Sequence, residues 1–205
     1  MKAPIQRAGS NSAKEVAMKL GYVTLQGRGR IDLLLAEVVD RLEAHGVALA
    51  GTVQTNIERA DRPRCDMDLR LLPDGPVVRI SVDRGAEARG CRLDAGVLEQ
   101  SVLWVSNTLD GAEILVVNKF GRQESEGKGL AGAIADAIER GLPVLVGVSG
   151  LNLPAFLEFT GGIELELRPD AASIADWCFA TMALTATKPQ SGTAETGHPR
   201  AVAGS

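Results

Sequence analysis

A three-layer α/β fold with a mostly parallel sheet is what this sequence of 205 residues predicts, and three observations predict it. Short apolar runs alternate along the chain with longer segments of helical period. Two of those runs, residues 112–118 and 143–148, are almost continuously apolar, as strands buried on both faces are. The length suits one domain, and 45% apolar against 23% charged residues is ordinary globular usage that can bury a core.

Taken in order, residues 20–26 form the first strand, ended by Gly27-Arg28-Gly29-Arg30. Ile31, Leu34, Leu35, Val38 and Leu42 then repeat at helical spacing up to Gly46. Residues 47–55 follow as a strand, so 20–55 has the length and punctuation of a βαβ unit. Residues 66–72 and 77–82, joined by Pro73-Asp74-Gly75-Pro76, read as an inserted β-hairpin. Asp94 is placed to N-cap a helix with Leu98, Val102, Val105 and Leu109 on one face. After the strand at 112–118, Leu130, Ala133, Ile134, Ala137 and Ile138 mark a helix ended by Gly141, and 143–148 is the next strand. Residues 163–167 give a last short strand, and Asp170 caps a terminal helix containing Trp177 and Phe179. The domain is expected over residues 19–185, with a flexible leader at 1–18 and a disordered tail at 186–205.

Composition excludes several functions. Seven aromatics (four Phe, two Trp, one Tyr) are too few for base-stacking platforms, and 22 Lys+Arg against 26 Asp+Glu gives no global positive field, so no nucleic-acid partner is expected. Three cysteines without C-x-x-C spacing and two histidines speak against a metal site of the zinc type. No signal-peptide core or membrane-length apolar run is seen, so a cytoplasmic protein with no membrane partner is expected. Oligomeric state is not legible.

Ligands of open parallel sheets bind beyond the carboxyl ends of the strands, which singles out residues 27–30, 118–129, 149–152 and the segment 81–94. In the first, Gly27, Arg28, Gly29 and Arg30 lie between strand and helix, a layout that offers backbone N–H groups to an anion. A Walker loop needs Lys and Ser/Thr after its last Gly, whereas Ile31-Asp32 follow this run; a dinucleotide fingerprint needs a third Gly, and position 32 is Asp. On these residues alone, a tight turn with two solvated arginines remains an equal alternative.

The segment from Ile114 through Val117, Asn118, Lys119, Phe120, Gly121, Arg122, Gln123 and Glu124 resembles a strand and loop of small P-loop nucleoside-triphosphatases. There, apolar residues lead into Asp-Glu, an apolar residue, Gly, Lys, an apolar residue and Glu. The resemblance puts the metal-holding Asp on Asn118, the water-activating Glu on Lys119, the Gly on Gly121, the basic residue on Arg122 and the last Glu on Glu124. A closer resemblance is to an uncharacterised bacterial family related to those enzymes. It is carried by Cys65-Asp66-Met67-Asp68-Leu69, by Ser81-Val82-Asp83-Arg84-Gly85 leading to Arg89-Gly90-Cys91-Arg92-Leu93-Asp94, and by Val117-Asn118-Lys119-Phe120-Gly121. This implies a P-loop-NTPase-like fold with an inserted hairpin. Members are often encoded near molybdenum-uptake or nitrogenase genes, and some are labelled nucleoside-triphosphatases, but no established activity comes with the resemblance.

Two catalytic carboxylates of that pattern are replaced here, one by a cation. Lys119, the amides of residues 27–30, Arg28 or Arg30, and Ser81, Asp83, Arg84, Arg89 and Arg92 would make a small-anion site without a metal. No cofactor is certain; a nucleotide or molybdate is the candidate ligand. The expected function is binding of a phosphate-like oxyanion or nucleotide in a degenerate P-loop site, linked to molybdenum metabolism. The alternatives are an active nucleoside-triphosphatase with a rearranged site, using Glu124, Glu126 or Asp83, and a regulatory protein controlled by its ligand. Asn118-Lys119 as a plain strand end and the arginines of 84–92 as a solvated loop also remain open. Cys91 between Arg89 and Arg92 is either a reactive thiol or a filler, while Cys65 and Cys178 read as fillers. His45 faces a helix end or solvent. Gly147-Val148-Ser149-Gly150 lacks the second Gly of a nucleophile elbow.

Overall fold

The computed structural model describes residues 19–58, 65–82 and 93–186. The expected leader at 1–18, most of the tail, and Asp83, Arg84, Arg89, Cys91 and Arg92 lie outside the described residues. Strands β1 (Leu20–Thr24), β2 (Leu49–Ile57), β3 (Asp66–Leu72), β4 (Val77–Arg79), β5 (Ile114–Phe120), β6 (Val144–Val148) and β7 (Leu165–Glu166) form one sheet in the order β4-β3-β2-β5-β6-β1-β7. Strands β2, β5, β6, β1 and β7 pair in parallel, and β3 and β4 extend the β2 edge as an antiparallel hairpin. This is the three-layer, mostly parallel α/β fold with an inserted hairpin that the sequence leads one to expect.

Helices α1 (Arg30–Ala44), α2 (Ala95–Thr108), α3 (Arg122–Ser125), α4 (Ala131–Glu139), α5 (Leu153–Thr160) and α6 (Ala171–Ala186) cover the sheet. One face of the sheet packs against Leu35, Val38, Val39 and Leu42 of α1 and Ile174 and Cys178 of α6. The other face meets Ile134 and Ala137 of α4 and Phe156 of α5. A separate small cluster, Leu69, Leu71 and Ile80 with half-buried Leu98 and Trp104, lies under α2 and the hairpin.

The expected βαβ unit at 20–55 has both its strands in parallel, but they are not neighbours: β6 and β5 lie between them. Those two strands are the most apolar runs in the chain and are buried throughout except at Lys119, so they take the sheet centre, where both faces are covered. The elements missed from sequence are α3 and α5. Helix α5 has only eight residues, although Pro154 in its first turn and Gly161 in the left-handed conformation just past its end are regular start and stop signals.

Two glycines permit close approaches that position the carboxyl edge. A Cβ on Gly51 would stand 1.8 Å from the Val116 carbonyl oxygen of β5, and its φ is +121°; a side chain there is excluded twice over. A Cβ on Gly147 of β6 would meet Ile31 and Leu35 at 2.7 Å, so this glycine lets the first turn of α1 lie directly on the sheet.

Candidate functional site at the carboxyl edge

Helix α1 starts at Arg30 with Gly29 as its N-cap at φ +74° and no side-chain cap. Asp32 in that first turn is 2% exposed, on the helix face that also buries Leu35 and Val39. A carboxylate so placed gains from the helix dipole but needs donors to replace water. It finds them on β2 and β5. Asn56 Nδ2 donates a short bond to Oδ2 and Gln54 Nε2 donates to the same oxygen at 3.5 Å. Lys119 Nζ donates to both carboxylate oxygens, at 3.2 and 3.3 Å. The Asn118 amide satisfies its neighbours with Nδ2 donating to Asp32 Oδ1 at 2.9 Å and its oxygen accepting from the Gln54 N–H at 3.0 Å. The end of β5 and the turn after β1 are thereby tied together across β6.

The electrostatic consequence is specific. Asp32 offsets much of the Lys119 charge, and Arg28 and Arg30, both exposed, add two further positive charges at this edge. Arg30 Nη1 donates to the Gln26 carbonyl at 3.4 Å, and Arg28 Nη2 donates to Cys65 Sγ at 3.1 Å. Among the described residues neither guanidinium meets a carboxylate, so both keep donors for an incoming anion.

A matching model for a family described as "Protein of unknown function (DUF2478)" covers residues 20–177. The chain belongs to the DUF2478 family. It is also similar to the molybdenum import ATP-binding protein ModC 2 of Bradyrhizobium diazoefficiens, with 34% identity over 148 residues, which are 72% of this chain and 16% of that protein. The DUF2478 chain thus spans about a sixth of the length of that relative. No solved structure matches it.

The remaining expected site residues that are described lie at three places, the turn before α1, the loop after β5 and Ser81. Gly27, with φ +105°, and Gly29 shape the turn before α1. Gly121 and Glu124 work on each other: Gly121 N donates to Glu124 Oε2 at 3.0 Å and Leu130 N to Oε1 at 3.1 Å. Glu124 thus anchors the DUF2478 loop between β5 and α4. Arg122 Nε donates to Glu126 at 2.7 Å, and Lys128 Nζ to the other oxygen at 3.4 Å; these cations hold the Glu126 carboxyl below its ordinary pKa. Ser81 lies farther off, where its hydroxyl accepts from Met67 N at 3.0 Å and its backbone bridges to Leu93.

Sequence reasoning missed Asp32, Gln54 and Asn56 as site residues. The signal was present in part: Asp32 shares a helical stripe with Leu35 and Val39, and a charge on an apolar stripe asks for a partner.

Proposed function

We propose that this DUF2478 chain binds a phosphate-like oxyanion or a nucleotide at the carboxyl edge of its sheet. In this reading it is a relative of P-loop nucleoside-triphosphatases whose hydrolytic residues have been replaced, and it serves molybdenum handling. The observation that carries the reading is the convergence of the α1 turn and the β5 end. Lys119 Nζ lies 3.2 Å from Asp32, three residues after Gly29, so uncapped helix amides, Arg28, Arg30 and the Lys119 ammonium share one edge. The name of the similar protein, a molybdenum import ATP-binding protein, supports both the nucleotide and the molybdenum link.

Binding is favoured over hydrolysis by where the carboxylates go. Asp32 accepts from Lys119, Asn56, Gln54 and Asn118, both oxygens of Glu124 hold backbone N–H groups, and Glu126 is held ionised by Arg122 and Lys128. A general base needs a lone pair facing the attacking water, whereas Asp32 and Glu124 are buried and fixed by these bonds and Glu126 is paired with two cations. The test is a thermal-shift series with phosphate, sulfate, molybdate, tungstate and ATP, followed by an assay of phosphate release. Selective stabilisation by one oxyanion without turnover is the expected result; sustained ATP hydrolysis would replace this reading with the enzymatic one.

A further inference from the structure

The two helices that follow β1 and the hairpin bury very different amounts of themselves. Helix α1 buries six residues over its 15, whereas α2 buries only Ser101 and Val105 over its 14. Its Val105 packs into the core under α4 and α5, whereas Leu98 and Val102, nearer its start, are apolar yet only half-buried. Both residues line a cavity of about 1010 Å³, at the upper end of the range for small-molecule sites. Protein interiors close-pack, but here α2 bridges two separate clusters, Leu98 packing with the hairpin residues and Val102 with the core under α4 and α5. The cavity walls are chemically divided. Leu69, Ile80, Leu98 and Val102 line one part, and Gln54, Lys119, Arg122 and Lys128 another, where Glu126 pairs with the last two. Lys119 is the residue that ties the cavity to the carboxyl edge, since its ammonium also reaches Asp32.

We infer that this cavity receives the apolar, ring-sized body of an organic oxyanion whose charged group is held at the Lys119 end. The inference rests on the oxyanion reading above and narrows it, from any phosphate-like anion to an aryl or heterocyclic ester or acid. The division of the walls requires both parts of such a ligand. An inorganic anion leaves Leu98 and Val102 half-covered, and a neutral apolar molecule leaves Lys119 with donors to spare beyond those it gives Asp32.

The test compares 1-naphthyl phosphate, 1-naphthol and inorganic phosphate by isothermal titration of the full chain. 1-Naphthyl phosphate is expected to bind at least about tenfold more tightly than either of the others, since each part contributes. Val102→Phe and Leu98→Phe, which push a ring from the apolar wall into the cavity, are expected to weaken 1-naphthyl phosphate about tenfold and leave phosphate unchanged. Circular dichroism and melting of both variants establish that they fold, and one folded variant suffices. If phosphate binds but the naphthyl ester gains nothing, or if the fillings leave the ester's affinity intact, the cavity proposal falls while the edge site stands. If 1-naphthol binds as tightly as the ester, the anchoring at Lys119 is wrong. If neither anion binds, both readings fall together.

Discussion

Asp32 is a carboxylate almost out of reach of water, and the cation beside it is its main compensation. Lys119→Ala is therefore expected to act on stability as well as on ligand. Leaving a buried acceptor short of a donor costs roughly 1–3 kcal/mol, readable as a lowered urea midpoint, and Asp32→Asn in the same chain should return part of it. A wild-type midpoint for Lys119→Ala would mean that Asn56, Gln54 and Asn118 alone satisfy Asp32. Arg28 and Arg30 are different, being exposed and without carboxylate partners among the described residues. Arg28→Ala should leave the melting temperature in place and weaken an oxyanion about tenfold, the effect of losing one charge-assisted hydrogen bond of about 1.4 kcal/mol. At the far side of the sheet, burial pushes the Cys178 thiol up to about 12 from its ordinary 9.0. The folded pKa is raised, so the neutral thiol's contribution is whole below pH 9.0 and declines as pH rises from there towards 12. Denaturation between pH 8 and 11 should show wild type losing stability more steeply than Cys178→Ala.

Elements show where the sequence was legible and where physics hid the answer. Asp94 caps α2 through Gly96 N and Val97 N at 3.0 and 3.1 Å, and Asp170 accepts from Ser173 N at 2.8 Å at the start of α6. Both caps are local and could be read from residue type and position. The pairing of β1 with β6 rather than β2 could not be read that way, because strand order depends on which runs tolerate burial on both faces. The loop after β5 was legible as a ligand-prone edge, yet Glu124 within it turned out to be an internal clasp, a role fixed by Leu130 six residues on. Glu124→Ala is expected to speed hydrogen exchange of amides at 121–130 while those of β6 keep their protection, since two N–H groups lose one shared acceptor. Gly51→Ala tests the sheet itself. With its Cβ 1.8 Å from the Val116 oxygen and a left-handed φ, the variant should lose roughly 3–4 kcal/mol or more and accumulate poorly as folded protein; near-normal stability would contradict the close β2–β5 approach.

For the whole molecule, the decisive contrast is between a net charge of −4 and two exposed guanidiniums, without a carboxylate partner among the described residues, at the edge where the α1 turn and the β5 end meet. The field that attracts an anion is local, so salt should weaken binding more than it shifts stability. Asn118 stands where the resemblance expects a metal-holding Asp, and its amide is spent on Asp32 and Gln54, which gives a divalent cation no charged ligand at that position. The most direct measurement is isothermal titration of phosphate, molybdate and ATP into wild type and Arg28→Ala, with excess EDTA and again with Mg²⁺. Saturable one-to-one binding of at least one of these anions is expected in EDTA, similar with Mg²⁺ and about tenfold weaker in Arg28→Ala. Binding that appears only with Mg²⁺, or that Arg28→Ala leaves untouched, would contradict a metal-free anion site at this edge.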